Sequence, residues 1–118
     1  MNKYHNIKTE LGGVKYDSKA EMLYALQLNE LKKQGLISGY ERQKKIVLQE
    51  GFRDRHGKKV RAITYVADFI VHWLPSGTQI VDVKSSYTAT IPSFRLKWKL
   101  LQWKYRDDIT VELTIVEV

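Results

Sequence analysis

Two carboxylates and an ammonium group sit in the most apolar part of this 118-residue sequence. Asp68 lies within Tyr65-Val66-Ala67-Asp68-Phe69-Ile70-Val71-His72-Trp73, a run of strand-forming residues. Side chains alternate faces along a strand. That predicts Tyr65, Ala67, Phe69, Val71 and Trp73 on one face and Val66, Asp68, Ile70 and His72 on the other. Both faces are largely apolar, as expected of a central strand covered on both sides, and an unpartnered carboxylate there is costly. Downstream, Gln79-Ile80-Val81-Asp82-Val83-Lys84 turns Ile80, Asp82 and Lys84 one way and Val81 and Val83 the other. If the two strands pair in the natural register, Asp68 joins Asp82 and Lys84, an expensive arrangement for stability alone. It suits phosphodiester hydrolysis. Two acidic groups can hold a divalent cation that polarises the scissile phosphate and lowers the pKa of a bound water. A lysine beside them can orient that water and stabilise negative charge in the transition state. Singly, each half has a plainer reading: Asp68 caps a turn, and Asp82–Lys84 is a surface ion pair worth little. Together, on adjacent apolar strands of a basic protein, they favour the chemical reading.

The elements that must position these residues follow from periodicity. Residues 1–16 read as a polar arm with a Gly12-Gly13 break, and residues 17–118 as the core of a single domain. From Ser18, apolar residues recur at helical spacing (Ala20, Leu23, Tyr24, Leu28, Leu31) until Gly35, which predicts a helix over about 18–34. Ser18 and Glu21 form the S-x-x-E pattern of a capping box. Strand character follows over Tyr40–Gln49, Arg61–Trp73 and Thr78–Ser85, with a turn-prone basic segment at 51–59 and a second turn at Pro75-Ser76-Gly77. A second helix is expected over Pro92–Tyr105, with Phe94, Trp98, Leu101 and Tyr105 at helical spacing and Pro92 or Ser93 at its start. A last half-buried strand over Ile109–Val116 places Ile109, Val111, Leu113 and Ile115 on one face. Short links make the first three strands a meander, and the helical crossover lets the last lie parallel to its neighbour. The expected fold is α/β, a mixed four-stranded sheet flanked by helices in the order αβββαβ.

Composition narrows the partners. With 20 basic and 13 acidic residues the chain carries +7, a field that attracts polyanions, nucleic acid first and an anionic membrane surface second. No apolar run approaches the roughly 18 residues needed to span a bilayer, and Met1–Lys8 lacks the apolar stretch of a secretory signal. The expectation is a cytoplasmic protein with no membrane association. Cysteine is absent, which excludes disulfides and thiolate metal sites. His5, His56 and His72 show no metal-ligand spacing, so any metal must rest mainly on carboxylate oxygens. That favours Mg²⁺, Mn²⁺ or Ca²⁺.

A strand bearing Asp68 after Ala67, a turn, then Asp82-Val83-Lys84 resembles the pattern of the PD-(D/E)XK nuclease superfamily, whose core order the element sequence also resembles over about residues 18–116. In closer detail, Lys3-Tyr4-His5-Asn6, Tyr16-Asp17-Ser18-Lys19-Ala20-Glu21, Tyr40-Glu41-Arg42-Gln43 and Tyr65-Val66-Ala67-Asp68-Phe69 resemble a family of small phage- and prophage-encoded members. That family is similar to Holliday junction resolvases and to nuclease subunits of transposition systems. Ala67 stands where the superfamily name has Pro, and Asp82 where it usually has Glu; the shorter Asp can shift the metal.

The resemblance implies a restriction-endonuclease-like core and Mg²⁺-dependent cleavage of DNA, with Mn²⁺ able to substitute. Asp68, Asp82 and Lys84 would be catalytic, and Glu21 would complete a metal site with Asp68 and Asp82. Glu21 faces Ala25 and Leu28 on the helix, yet it is also the N3 residue of the capping box, and both readings stand. The resemblance also places Gln43 near the active site; its alternative is a solvated strand residue among Arg42, Lys44 and Lys45. A basic residue on the second helix, Lys97 with Arg95 beside it, would approach the phosphate, although such charges are more often simply solvated. Arg53, Arg55, Lys58, Lys59 and Arg61 around the hairpin are the expected contacts to DNA phosphates. Phe94, Trp98 and Trp103 can stack on bases, but their helical spacing assigns them to the core. The implied substrate is branched DNA in phage recombination or replication, cut by a homodimer. The alternatives are a mismatch- or site-specific nicking enzyme, a transposition nuclease subunit, or a non-catalytic DNA-binding module.

Overall fold

The structure, a computed structural model, describes residues 9–11, 14–16, 18–85 and 87–118. Lys3-Tyr4-His5-Asn6, the Gly12-Gly13 break and Asp17 lie outside the described residues. Within the segment read as a polar arm, β1 (Thr9–Leu11) and β2 (Val14–Tyr16) pair antiparallel, so the arm contains a small ribbon.

Helix α1 (Lys19–Lys33) begins where the sequence signals it, with the Ser18 hydroxyl accepting from the Glu21 N–H at 3.1 Å. It ends in a Schellman turn. Gly35, at φ +77°, lets its own N–H reach the Lys32 carbonyl and the Leu36 N–H reach Leu31. The chain then enters β3 (Ile37–Gln49), which starts three residues earlier than expected. A ribbon of β4 (Phe52–Arg53) and β5 (Lys59–Val60) follows, then β6 (Ile63–Trp73) and β7 (Thr78–Lys84). Helix α2 (Pro92–Lys104), with Pro92 in its first turn, crosses over to β8 (Val111–Glu117).

The fold is α/β. Its main sheet has the order β3-β6-β7-β8, with β3, β6 and β7 an antiparallel meander and β8 parallel to β7. The two central strands are covered on both faces. One cluster joins Ala25 and Leu28 of α1 to Ile37, Phe69, Val71, Val81 and Val83; the other joins Leu101 of α2 to Ile46, Tyr65, Ala67 and Ile80. Each fully buried aliphatic or aromatic side chain contributes about 1.5–3 kcal/mol of transfer free energy. Among the described residues no helix is long and apolar enough to cross a membrane.

Two expectations are corrected. Ile109 does not join the face of the last strand; it lies in the turn before β8 and is fully exposed. Strict alternation along β6 fails as well. Tyr65 and Ala67 pack with the α2-side cluster, whereas Phe69 and Val71 pack with the α1-side cluster. The turnover falls at Asp68. There the β3–β6 ladder passes from Arg42–Phe69 to Lys44–Ala67 without the intervening Gln43–Asp68 pair, and Gln43 takes φ +50°. A left-handed residue of this kind rotates the strand about its axis and re-aims the side chains beyond it.

Candidate active site

The β6–β7 register brings the two aspartates together. Its last pair is Phe69–Val81, so the next positions in the same register are Asp68 and Asp82. Here the Asp68 carboxylate reaches across to the neighbouring strand, and its Oδ2 accepts from the Val83 N–H at 2.8 Å. Lys84 Nζ lies 2.5 Å from Asp82 Oδ1 and 3.9 Å from Asp68 Oδ2. Asp82 is 1% exposed and Asp68 is buried. The pair Asp82–Lys84 is therefore no solvated surface bridge, and Asp68 caps no turn.

Glu21 also faces this place, and its two readings prove compatible. Its N–H bonds to the Ser18 hydroxyl, while its buried carboxylate points at the sheet. Gln43 links the helix to the strand: its Nε2 donates at 3.4 Å to both Glu21 Oε2 and Asp68 Oδ1. These are long hydrogen bonds, near the limit at which the interaction still counts. The sequence thus named Glu21, Gln43, Asp68, Asp82 and Lys84, and the fold brings all five to one end of the β6–β7 junction.

Electrostatics at the junction are strained in one direction and relieved in another. Burial first, and the neighbouring Asp68 charge second, together raise the Asp82 pKa to about 7 against the opposing pull of Lys84. Burial pulls the Lys84 ammonium down, but Asp82, Asp68 and Glu21 outweigh it and the net shift is upward. Lys84 is accordingly a fixed positive charge at neutral pH. Its ammonium also stands 5.1 Å above the centroid of the Phe94 ring.

Tyr65 completes the group and was not foreseen. Its hydroxyl donates to Asp82 Oδ2, and burial followed by the Asp82 charge keeps the phenol protonated by raising its pKa. Strict alternation puts Tyr65 on the face opposite Asp68, so periodicity pointed away from it. Only the turnover at Asp68 brings it round, and nothing in the residue types announces a left-handed glutamine. Beside Tyr65, Asp82 and Lys84 opens a cleft of about 390 Å³, lined further by Thr88, Ser93, Phe94 and Lys97.

Other expected contacts are distributed differently. Lys97 reaches the cleft; Arg95 is exposed on α2 and does not line it. Arg53, Arg55, Lys58, Lys59 and Arg61 are exposed on and beside the β4–β5 ribbon, where Arg53 also donates to the Gly57 carbonyl at 3.0 Å. Phe94 and Trp98 pack on the α2-side cluster as expected of core residues. Trp103 does not: it is 64% exposed, with the Arg106 guanidinium 3.7 Å from its ring centroid. His72 pairs with Glu41, Nε2 to Oε1 at 2.9 Å.

A family model described as Protein of unknown function (DUF1064) matches residues 1–116. The chain belongs to this family. No curated protein and no solved structure matches it.

The groups able to hold a cation are the carboxylates of Asp68 and Asp82, hard oxygen donors suited to Mg²⁺ or Mn²⁺. Asp82 Oδ1 carries the mark of such a ligand: it is buried, takes no neutral donor among the described residues, and is compensated by the Lys84 ammonium at 2.5 Å. Among the described residues no three His, Cys, Asp or Glu side chains stand close enough to form a ready-made cage. The donor set therefore fits a cation held by two carboxylates, with Glu21 the nearest further one through Gln43.

Proposed function

We propose that this protein is a metal-dependent DNA endonuclease of the PD-(D/E)XK type, with a restriction-endonuclease-like core, acting on branched DNA in phage recombination or replication. The observation that carries the reading is the meeting of Asp68, Asp82 and Lys84 at the point where the central strands part. Burying two carboxylates and an ammonium side by side costs several kcal/mol per ion before pairing returns any of it. A fold maintains such a cluster most readily where it has work to do.

Asp68 and Asp82 would hold Mg²⁺, with Mn²⁺ able to replace it; Glu21, engaged by Gln43, would join as a third carboxylate on turning from that amide. The bound cation would supply Lewis-acid polarisation of the phosphate and a more acidic water. Lys84, held protonated by its two aspartates, donates to a non-bridging phosphate oxygen and offsets charge as the pentacoordinate centre forms. Gln43 restrains the carboxylates of Glu21 and Asp68 relative to each other. Lys97, in the cleft wall, draws the phosphate toward Lys84, while the ribbon cations bind DNA further away. One chain supplies one such site, so cutting both strands of a junction calls for a homodimer. The place of action would be the cytoplasm, that of the host cell if the protein is phage-encoded.

A non-catalytic DNA-binding module is the second reading, favoured by the absence of a three-ligand cage among the described residues. Incubation with Mg²⁺ or Mn²⁺ and four-way junction, flap, nicked, duplex and single-stranded DNA separates the two. Cleavage is expected, and Asp82→Ala or Lys84→Ala should each reduce it about 100-fold or more. No cleavage of any substrate, or cleavage indifferent to both substitutions, refutes the nuclease; salt-sensitive binding alone then supports the module.

A further inference from the structure

The two oxygens of the Asp82 carboxylate have unequal surroundings. Oδ2 accepts a hydrogen bond from the Tyr65 hydroxyl. Oδ1 is buried and takes no neutral donor among the described residues; the Lys84 ammonium stands 2.5 Å from it. A carboxylate on a short side chain can rotate about its last bond, and such terminal torsions are soft. What fixes the orientation here is Tyr65, and Tyr65 is itself held. Its ring is buried and meets Trp98 edge-on at 6.2 Å between centroids, inside the cluster that also contains Ala67, Ile80 and Leu101.

We propose that Tyr65 is a positioning residue that reserves Asp82 Oδ2 and thereby makes Oδ1 the oxygen presented to a divalent cation. This rests on the metal-dependent reading above. The hydroxyl donates only one proton, so it ties down Oδ2 and leaves Oδ1 to the Lys84 ammonium, a tethered cation in the place a divalent cation would take. Lys84 occupies the neighbourhood of Oδ1 as a tethered cation. Phe94, whose ring already lies under the ammonium, offers it a second resting place when Oδ1 takes another partner. Partners that orient a metal-bound carboxylate act through that ligand, and losing one typically weakens metal binding 10- to 100-fold.

The test is calorimetric titration of Mn²⁺ into the full chain without DNA, for the wild type, Tyr65→Phe and Trp98→Phe. Tyr65→Phe removes one hydroxyl and should weaken Mn²⁺ binding about tenfold. Trp98→Phe thins the packing of the α2-side cluster but keeps an aromatic ring against Tyr65 and leaves the donor in place, so it should retain wild-type affinity although its melting temperature falls. Equal affinity in the wild type and Tyr65→Phe, whatever their melting temperatures, overturns the positioning role and leaves the metal site standing. Absence of Mn²⁺ binding by the wild type overturns both. A second measurement covers the case in which Tyr65→Phe does not fold. In the wild type, the Tyr65 Cζ resonance of ¹³C-tyrosine-labelled protein should shift as diamagnetic Mg²⁺ saturates the site. A stationary resonance at saturation rules the proposal out.

Discussion

An aspartate buried as deeply as Asp82 resists ionisation, and that resistance is written into stability. Its folded pKa is raised from 3.8 to about 7 by burial and by Asp68. Below the unfolded value the carboxyl is protonated in both states and nothing is lost. As pH climbs from about 4 to about 7 the unfolded chain ionises while the folded one resists, so the folded state loses stability at a limiting slope of about 1.4 kcal/mol per pH unit. Denaturant midpoints measured without divalent cations should therefore fall over that window, and Asp82→Asn should remove most of the slope. A wild-type profile that falls no more steeply than that of Asp82→Asn would contradict the raised pKa. Asp82 and Lys84 were legible as neighbours because a period of two leaves them no alternative within one strand. Asp68 needed a register, which is a property of two strands and not of either. Tyr65 needed a departure from alternation that no residue type marks.

At the scale of elements, local signals served best where a terminus or a period is chemically defined. Ser18, Gly35 and Pro92 mark helix ends by capping, by a left-handed turn and by a missing donor, and each stands where its chemistry requires. The ends of the strands were less legible. Ile109 fits an alternating pattern, but the turn before β8 takes it, with Thr110 N–H and hydroxyl both bonded to Asp108. The Asp108 carboxylate, bonding the chain two residues on, decided that boundary, and a reading by alternation alone does not weigh it. Gln43 is the sharper case. A non-glycine residue at φ +50° costs about 1–2 kcal/mol, and here it sits where β3 and β6 turn over and where an amide must reach Glu21 and Asp68. Both Gln43→Gly and Gln43→Ala delete that amide, but only glycine fits the backbone without strain. In an ordinary strand alanine is the more stable of the two by roughly 0.5–1 kcal/mol. At this position the order should invert, with Gln43→Gly more stable than Gln43→Ala by about 1 kcal/mol in urea denaturation. If alanine proves the more stable, the left-handed turnover is not what holds these strands.

The whole molecule is extended, 53 × 41 × 26 Å. From Gln43 and Asp68 the β3–β6 ladder runs on to the Gln49–Ile63 pair, and the β4–β5 ribbon lies beyond it. At about 3.3 Å per residue that end of the ladder is roughly 17–20 Å from the cluster of carboxylates. On the proposed function, Arg55 and Lys58, exposed on the ribbon's turn, would lie beyond reach of the phosphate that Lys84 would face and would meet phosphates further along a duplex arm. Under the proposed function this separation would divide binding from chemistry. Each phosphate that the protein ceases to neutralise keeps its counterion, and the slope of log K against log salt becomes shallower by about 0.9. The double substitution Arg55→Glu, Lys58→Glu should weaken DNA binding and flatten that slope by about 2, while Mn²⁺ affinity stays unchanged. Lys84→Ala should do the reverse, costing turnover at saturating DNA and leaving the salt slope close to that of the wild type. A ribbon variant with the wild-type slope would move the DNA to another face, the exposed cations of α2 being next, and would do so without disturbing the case for the buried cluster.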